Sequence, residues 1–143
     1  MREIKFRGKR IDNGEWVYGY YVLKAITNIY NKVEWLHVIY VSYKEGFTEE
    51  HKVDPETVGQ FIGQKDKSEQ EIYEGDLLAY YDVDGELLPQ TVKWVNTPYT
   101  AFFDFGVAPA SRLSEVIGNI YENPELISGK ELVKNLDHAE NVK

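Results

Sequence analysis

The sequence predicts a mainly β protein, built as a small antiparallel barrel or sandwich. Aromatic and β-branched residues dominate its apolar segments, and these residue types favour strands. The apolar segments are short, and turn signals separate them at close intervals with few helical patterns between. Such spacing is typical of small antiparallel β domains.

The strands are assigned from alternation of apolar and polar residues and from short runs bounded by turns. They cover 3–7, 15–23, 34–43, 77–83, 91–95, 101–105 and 115–121. The turn DNG at 12–14 joins the first two, because Asn-Gly readily supplies the positive φ of a tight hairpin. Gly19 lies inside the second strand and indicates a bulge or a close approach of two backbones. His37 lies in the apolar third strand, where we expect it to be packed or hydrogen-bonded.

Two short helical features interrupt the strands. Asp54 can cap a helical turn, and Pro55 suits its first position, where no N–H is needed. Near the end of the chain, Ser128 and Glu131 have the spacing of a capping box ahead of an apolar helical face. We therefore predict a short C-terminal helix over 129–139, which needs an apolar surface to dock on.

The composition is that of an ordinary globular protein and excludes several kinds of site. With 43% hydrophobic and 28% charged residues, the 143-residue chain can bury a core of its own. It contains no cysteine, which excludes disulfides, thiolate zinc sites and thiol nucleophiles. A charged N-terminus and the lack of a long apolar run predict a soluble cytoplasmic protein without membrane contact.

The net charge of −8 is unevenly distributed along the chain. Residues 1–40 carry 7 basic and 4 acidic side chains, whereas residues 41–143 carry 9 and 20. Such an acidic body repels phosphate, so nucleic acid is an unlikely partner. Within the basic N-terminal cluster, Arg7, Lys9 and Arg10 are candidates for contact with a partner, although clusters of this size are more often a solvated face.

The stretch EIYEGDLLAYY at 71–81 carries three carboxylates and allows two interpretations. Glu74 and Asp76 share one face of an extended chain and would suit a magnesium ion or an acid–base pair. The commoner arrangement is a structural turn, in which Gly75 relaxes the backbone, Asp76 accepts backbone hydrogen bonds and the two glutamates stay solvated. We favour the turn, and we predict no catalytic residue, no metal ligand and no cofactor.

Aromatic side chains are the other feature that bears on function. The 20 aromatic residues, 11 of them tyrosine, supply either the bulk of a small β core or a groove for extended peptides or single-stranded nucleic acid. Tyr80 and Tyr81 are adjacent in a predicted strand and face opposite sides of it. They are therefore candidates for an exposed contact with a partner.

Three stretches, taken in order, resemble a single family. MREIKFRGK opens the chain, VGQFIGQKDKSEQEIYEGDLL occupies 58–78, and VIGNIYENPELI occupies 116–127. Together they resemble the YopX family of small proteins encoded by phages and prophages of bacteria. The resemblance implies a single β-rich domain over 1–127, whose part from about 58 to 127 is like an SH3-type barrel. It leaves 128–143 as a C-terminal helical extension and implies no established biochemical activity.

One loop departs from the family pattern. The family stretch typically reads KDKNGKEIYEGD, and in this chain Ser68 and Glu69 stand in place of Asn-Gly. The loop over 66–70 therefore lacks the residue that most readily adopts a positive φ.

These observations predict a non-enzymatic binding or assembly module, with a phage or host protein as its partner. Self-association is also expected, because short sheets leave edges that need cover. The alternatives are an enzyme that uses Glu74, Asp76 and either Asp82 or Asp84 as carboxylates, and a weak nucleic-acid-binding SH3-like module that uses the basic N-terminal cluster.

Overall fold

Eleven strands lie in the part of the chain that the structure describes, and the mainly β, antiparallel architecture predicted from the sequence is confirmed. The computed structural model describes residues 3–81, 84–96, 98, 101–104 and 114–127, with backbone alone for Tyr80, Tyr81 and 101–104. The strands are β1 (Phe6–Lys9), β2 (Trp16–Thr27), β3 (Val33–Ser42), β4 (Thr48–Lys52), β5 (Gly59–Lys65), β6 (Glu71–Tyr73), β7 (Asp76–Tyr81), β8 (Leu87–Thr91), β9 (Lys93–Asn96), β10 (Ala101–Asp104) and β11 (Glu115–Asn119). The chain divides into two units, Met1–Gly63 and Gln64–Lys143.

The first unit is a sheet in the order β4-β3-β2-β1-β5. After β4 the chain returns to the end of β1, where Arg10 and Val53 form an antiparallel bridge. The N–H of Asp54 donates to the carbonyl of Lys9 at 2.8 Å. These contacts curl the sheet around a small core, in which Ile39 and Val53 are fully buried.

A short 3₁₀ turn, Pro55–Thr57, follows this bridge, as the Asp54-Pro55 pair predicted. The side chain of Asp54 accepts a hydrogen bond from the N–H of Glu56 at 3.0 Å. The hydroxyl of Thr57 in turn accepts from the N–H of Lys9 at 2.8 Å. The turn therefore fixes the path from β4 to β5 against the end of β1.

Gly19 makes the close backbone approach that its position in a strand predicted. A Cβ atom at this position would lie 2.1 Å from the carbonyl oxygen of Tyr40 on the neighbouring strand. No side chain fits there unless the strands separate. The tight approach begins the continuous pairing of β2 with β3, from Tyr20–Tyr40 to Thr27–Val33.

The hairpin of β2 and β3 extends past its neighbouring strands. β1 pairs with β2 no further than Gly19, and β4 pairs with β3 from Val38 onward. The pairs from Lys24–Leu36 to Thr27–Val33 therefore have no third strand beside them among the described residues. We call this two-stranded segment, together with Leu23 immediately before it (residues 23–36), the arm.

In the second unit, the end of β5 leads through a turn at 66–70 into β6, its neighbour in the sheet order. A three-stranded sheet follows in the order β11-β7-β8, and β9 pairs with β10. Pro89 lies on β8, which pairs with β7 alone, and an edge strand tolerates the missing N–H of proline. The buried apolar side chains of this unit are Ile72, Tyr73, Leu77, Leu78, Ala79 and Val92.

Two finer predictions about the second unit are not confirmed. The SH3-like barrel expected from about 58 to 127 does not close in the described strands, because β8 and β11 each pair with β7 alone and so remain edges. The C-terminal helix expected over 129–139 lies outside the described residues.

Candidate binding sites

The carboxylates of EIYEGDLLAYY are separated by the turn between β6 and β7. Asp76 is buried, and its Oδ2 accepts a hydrogen bond from the N–H of Tyr73 at 2.8 Å. Gly75 has a φ of +91°, and a Cβ there would lie 3.0 Å from the ring of Tyr121. Asp76 is therefore directed into the backbone of the turn. Glu71 and Glu74 are both half-buried, so the prediction that these two glutamates stay solvated is wrong.

Groups suited to metal binding do not converge in the described residues. No cluster of three or more histidine or acidic side chains is close enough to hold an ion among residues 3–81, 84–96, 98, 101–104 and 114–127. His37 shares a hydrogen bond with the hydroxyl of Tyr21, as expected for a histidine in an apolar strand. His51 lies 3.1 Å from Glu49, and His138 is outside the described residues.

The loop at 66–70 contains a buried carboxylate that the sequence reading missed. Asp66 accepts hydrogen bonds from the N–H groups of Ser68, Gln70 and Val116. Glu69 in the same loop has a φ of +65°, at the place where the family pattern carries glycine. The signal in the sequence was an aspartate at the first position of a turn, the arrangement of an Asx-type turn.

A cavity of about 550 Å³ opens in the second unit beside the Gly75 turn. It is lined by Glu74, Gly75, Thr91, Val92, Lys93, Trp94, Ile120, Tyr121, Pro124 and Ile127. Most of this lining is apolar or aromatic, and Glu74 and Lys93 supply opposite charges. The size and lining are those of a small-ligand site.

The basic residues predicted to meet a partner are engaged within the first unit. Arg7 is only 6% exposed, and its guanidinium carbon lies 4.6 Å from the ring centroid of Trp16. The Nζ of Lys9 lies 5.5 Å from the same centroid, so both cations stack on one indole. Arg10 donates to both carboxylate oxygens of Asp12, at 2.9 and 2.6 Å. These two hydrogen bonds raise the pKa of Arg10 and lower the pKa of Asp12.

Tyr80 and Tyr81, the other predicted contact residues, lie at the end of β7. Their backbones pair with Leu88 and Leu87 of β8. Their side chains are outside what the structure describes.

A tyrosine-lined groove of about 450 Å³ lies on the first unit, and sequence reasoning did not find it. Its lining consists of Glu3, Ile4, Lys5, Tyr18, Gly19, Tyr20, Tyr40 and Ser42. Tyr20 and Tyr40 are direct cross-strand neighbours on β2 and β3, and Tyr18 lies two residues before Tyr20 on the same face. Gly19, between Tyr18 and Tyr20, brings the two strands close, and the three tyrosines line one surface.

Hydrogen bonds orient the ring of Tyr40 at the edge of this groove. Its hydroxyl donates to Glu50 at 3.0 Å, and the ammonium of Lys24 donates to the same carboxylate at 3.0 Å. The hydrogen bond from Lys24, followed by that from Tyr40, lowers the pKa of Glu50. The hydrogen bond to Glu50 raises the pKa of Tyr40, which keeps the phenol protonated.

The N-terminal segment closes the groove on its other side. Ile4 is exposed there, and Lys5 forms an ion pair with Glu3 at 3.7 Å. The Nζ of Lys5 also lies 5.7 Å from the ring centroid of Phe61. The groove thus has an aromatic floor and a rim that carries both signs of charge.

Comparison with known proteins supports the relationship suggested by the three sequence stretches. The family model of the YopX protein matches residues 5–128 of the chain. The chain belongs to the YopX family. No curated protein matches it. The crystal structure of protein EF1440 from Enterococcus faecalis is similar, with 21% sequence identity, coverage of 90% of this chain and 100% of that chain, and a TM-score of 0.45.

The YopX match includes both candidate sites. Its range covers the tyrosine groove apart from Glu3 and Ile4, and it covers the whole lining of the cavity in the second unit. It ends at Ser128, so the last fifteen residues, 129–143, lie beyond the family pattern. No helix in the described part of this YopX chain is long and apolar enough to cross a membrane.

Proposed function

We propose that this YopX protein is a non-enzymatic binding module of phage or prophage origin that acts in the bacterial cytoplasm. Its partner is a phage or host protein, which it binds through an extended segment laid into the tyrosine groove. The observation that carries this proposal is the shared surface of Tyr18, Tyr20 and Tyr40, three phenol rings from two neighbouring strands.

The chemistry of the groove suits a polypeptide. Aromatic-lined grooves hold extended peptide segments, since the rings pack against side chains while hydroxyl groups bond to the peptide backbone. Tyr18 and Tyr20 are exposed, and Ser42 adds a further hydroxyl to the lining. The mixed charges of Glu3 and Lys5 at the rim favour neither a polyanion nor a polycation.

Two features of the chain support a role without catalysis and without nucleic acid. The buried Asp76 is committed to the N–H of Tyr73, and Arg7 and Lys9 stack on Trp16. We therefore expect calorimetric titration with magnesium, manganese and zinc to show nothing tighter than about millimolar affinity. Stoichiometric micromolar binding of a metal, or sub-micromolar binding of nucleic acid at physiological salt, would contradict the proposal.

Affinity capture from prophage-induced cells tests the groove directly. The immobilised bait is the full chain, either unchanged, as Tyr20→Ser in the groove, or as Leu88→Ser in the second unit, where Leu88 is also an exposed apolar residue. We expect one protein to be retained by the unchanged chain and by Leu88→Ser, and to be lost with Tyr20→Ser. A partner retained equally by all three baits would show that the groove is not the binding site.

A further inference from the structure

The arm exposes a set of large apolar side chains. The exposed fractions are 50% for Leu23, 91% for Ile29, 76% for Tyr30, 61% for Val33 and 63% for Trp35. Single exposed apolar residues are ordinary on protein surfaces, but a contiguous set of this kind marks an interaction surface. The question is which molecule covers it.

Three of these side chains share one face of the arm with neutral neighbours. In the register of β2 and β3, Ala25 lies opposite Trp35, and Thr27 lies opposite Val33. Leu23 precedes Ala25 by two residues and therefore faces the same side. The residues of this apolar face are Leu23, Ala25, Thr27, Val33 and Trp35, none of them charged. The charged residues of the arm strands, Lys24 and Glu34, belong to the opposite face.

The tip of the arm is held in one conformation. The Oδ1 of Asn28 accepts hydrogen bonds from the N–H groups of Tyr30 and Lys32, at 2.9 and 3.1 Å. The N–H of Asn28 donates to the carbonyl of Lys32, and Asn31 adopts a φ of +59°. Ile29 and Tyr30 are therefore presented on an ordered turn, which reduces the entropy lost when they bind.

A two-stranded ribbon is only marginally stable in water, and the arm has no third strand beside it among the described residues. A partner that covers its apolar face would stabilise it. We propose that the arm is a self-association surface, covered by the arm of a second copy of this chain. The groove is on another part of the unit, so this inference does not depend on the proposed function.

The charge of the protein favours a second copy on this face. Each chain carries a net charge of −8, so two copies repel one another wherever acidic surfaces meet. The uncharged face of the arm lets two copies approach without placing like charges opposite each other. Two such faces related by a two-fold axis are also self-complementary, since each supplies the same apolar surface.

The exposed area is sufficient for a weak dimer. The apolar face, together with Ile29 and Tyr30 at the tip, exposes on the order of 600 Å² per copy, judged from the area of whole aromatic side chains. Two copies would then bury about 1,200 Å², the lower end of the range for specific complexes. We therefore expect a weak monomer–dimer equilibrium, as is usual for interfaces at the small end of this range.

Sedimentation equilibrium of the full chain, from about 1 to 500 μM, measures this equilibrium. We expect Trp35→Asp to weaken dimerisation by at least about tenfold, because a charge would enter the centre of the apolar face. Ile11→Asp is the matched control, since Ile11 is exposed in the same unit but lies outside the arm, and it should leave the Kd unchanged. Val33→Asp, also on the apolar face, gives a second variant if Trp35→Asp does not fold.

A spectroscopic readout ties dimerisation to the arm itself. With Trp16 and Trp94 replaced by Phe, Trp35 is the only tryptophan, and its emission should shift to shorter wavelength as the concentration rises. A single-chain mass at 500 μM would overturn the inference. So would a dimer whose Kd is unchanged by Trp35→Asp and Val33→Asp, or one that forms without any shift in Trp35 emission.

Discussion

Asp66 holds together two distant parts of the second unit, and its replacement has a calculable effect. Its side chain is 4% exposed, although it lies in a stretch of polar residues. Oδ1 accepts from the N–H groups of Ser68 and Gln70 at 2.9 Å each, and Oδ2 accepts from the N–H of Val116 at 3.0 Å. One carboxylate therefore closes the turn between β5 and β6 and fastens it to β11.

The magnitude follows from these three bonds. Hydrogen bonds to a charged acceptor contribute about 1.5–3 kcal/mol each, while removing a buried charge returns part of its desolvation cost. Ser68 and Gln70 are exposed, so water can replace the carboxylate at their N–H groups after Asp66→Ala. We expect a net loss of about 3 kcal/mol in the free energy of unfolding. Asp66→Asn keeps one oxygen but turns its NH₂ group toward a backbone N–H, so about half of that loss is expected.

Urea denaturation followed by circular dichroism measures both variants, and amide hydrogen exchange locates the effect. Exchange at Ser68, Gln70 and Val116 should accelerate more than exchange in the first unit. The control is Asp12→Ala, which removes an exposed carboxylate that bonds to the half-buried Arg10 side chain and nearby backbone, and should change stability little. If Asp66→Ala were as stable as the unchanged chain, within about 0.5 kcal/mol, the three bonds would not have the role assigned to them.

Three further substitutions test other local features. Glu69→Gly should raise the melting temperature, because the left-handed φ of +65° costs a residue with a side chain about 1–2 kcal/mol. The greater conformational entropy that glycine loses on folding offsets about half of this gain. A lower melting temperature would contradict the reasoning. Gly19→Ala should lower the free energy of unfolding, measured in urea, by more than about 2 kcal/mol, since its Cβ would meet the carbonyl of Tyr40; an unchanged value would refute the close approach. The hydrogen bond from Lys24 lowers the pKa of Glu50 in the folded state. The ionised Glu50 therefore stabilises the fold above its ordinary pKa of 4.5, and this stabilisation is lost as the pH falls through the pKa of the folded state. Glu50→Gln should therefore flatten the dependence of Tm on pH between about pH 5 and 3, and an unaltered slope in thermal melts would show that the ion pair is not formed.

Several elements follow from the sequence because their causes are local. Alternation and short apolar runs predicted seven strand segments, and the structure places a strand in each, with ends that differ by a few residues. β4, β5, β6 and most of β8 lie outside the predicted segments. Asp54 and Pro55 predicted a helical turn because capping and a fixed φ act within one turn of chain. The family pattern carries glycine where this chain has Glu69, and the structure shows that Glu69 has a left-handed φ of +65°. Gly19 predicted a bulge or a close approach of two backbones, because a glycine inside a strand is a signal at a single position. The structure shows the close approach.

The candidate sites depend on pairings that no local signal specifies. The sequence favoured a solvated face for the basic cluster that includes Arg7 and Lys9, but the pairing of β1 with β2 places both side chains against the ring of Trp16. Asp66 read as a loop residue, but packing of the second unit brings Val116, 50 residues away, to its carboxylate.

The two surfaces proposed for binding also depend on strand pairings that the local sequence does not specify. The sequence places tyrosines in both predicted strands, but only the register of β2 with β3 makes Tyr20 and Tyr40 neighbours in one groove. The apolar residues of the arm are exposed because β1 and β4 end before they reach it. Local sequence determined which residues form strands and turns, since propensity and φ preferences act over a few residues. The tertiary structure decided which faces are buried, because that depends on how far each neighbouring strand extends and on which residues it pairs.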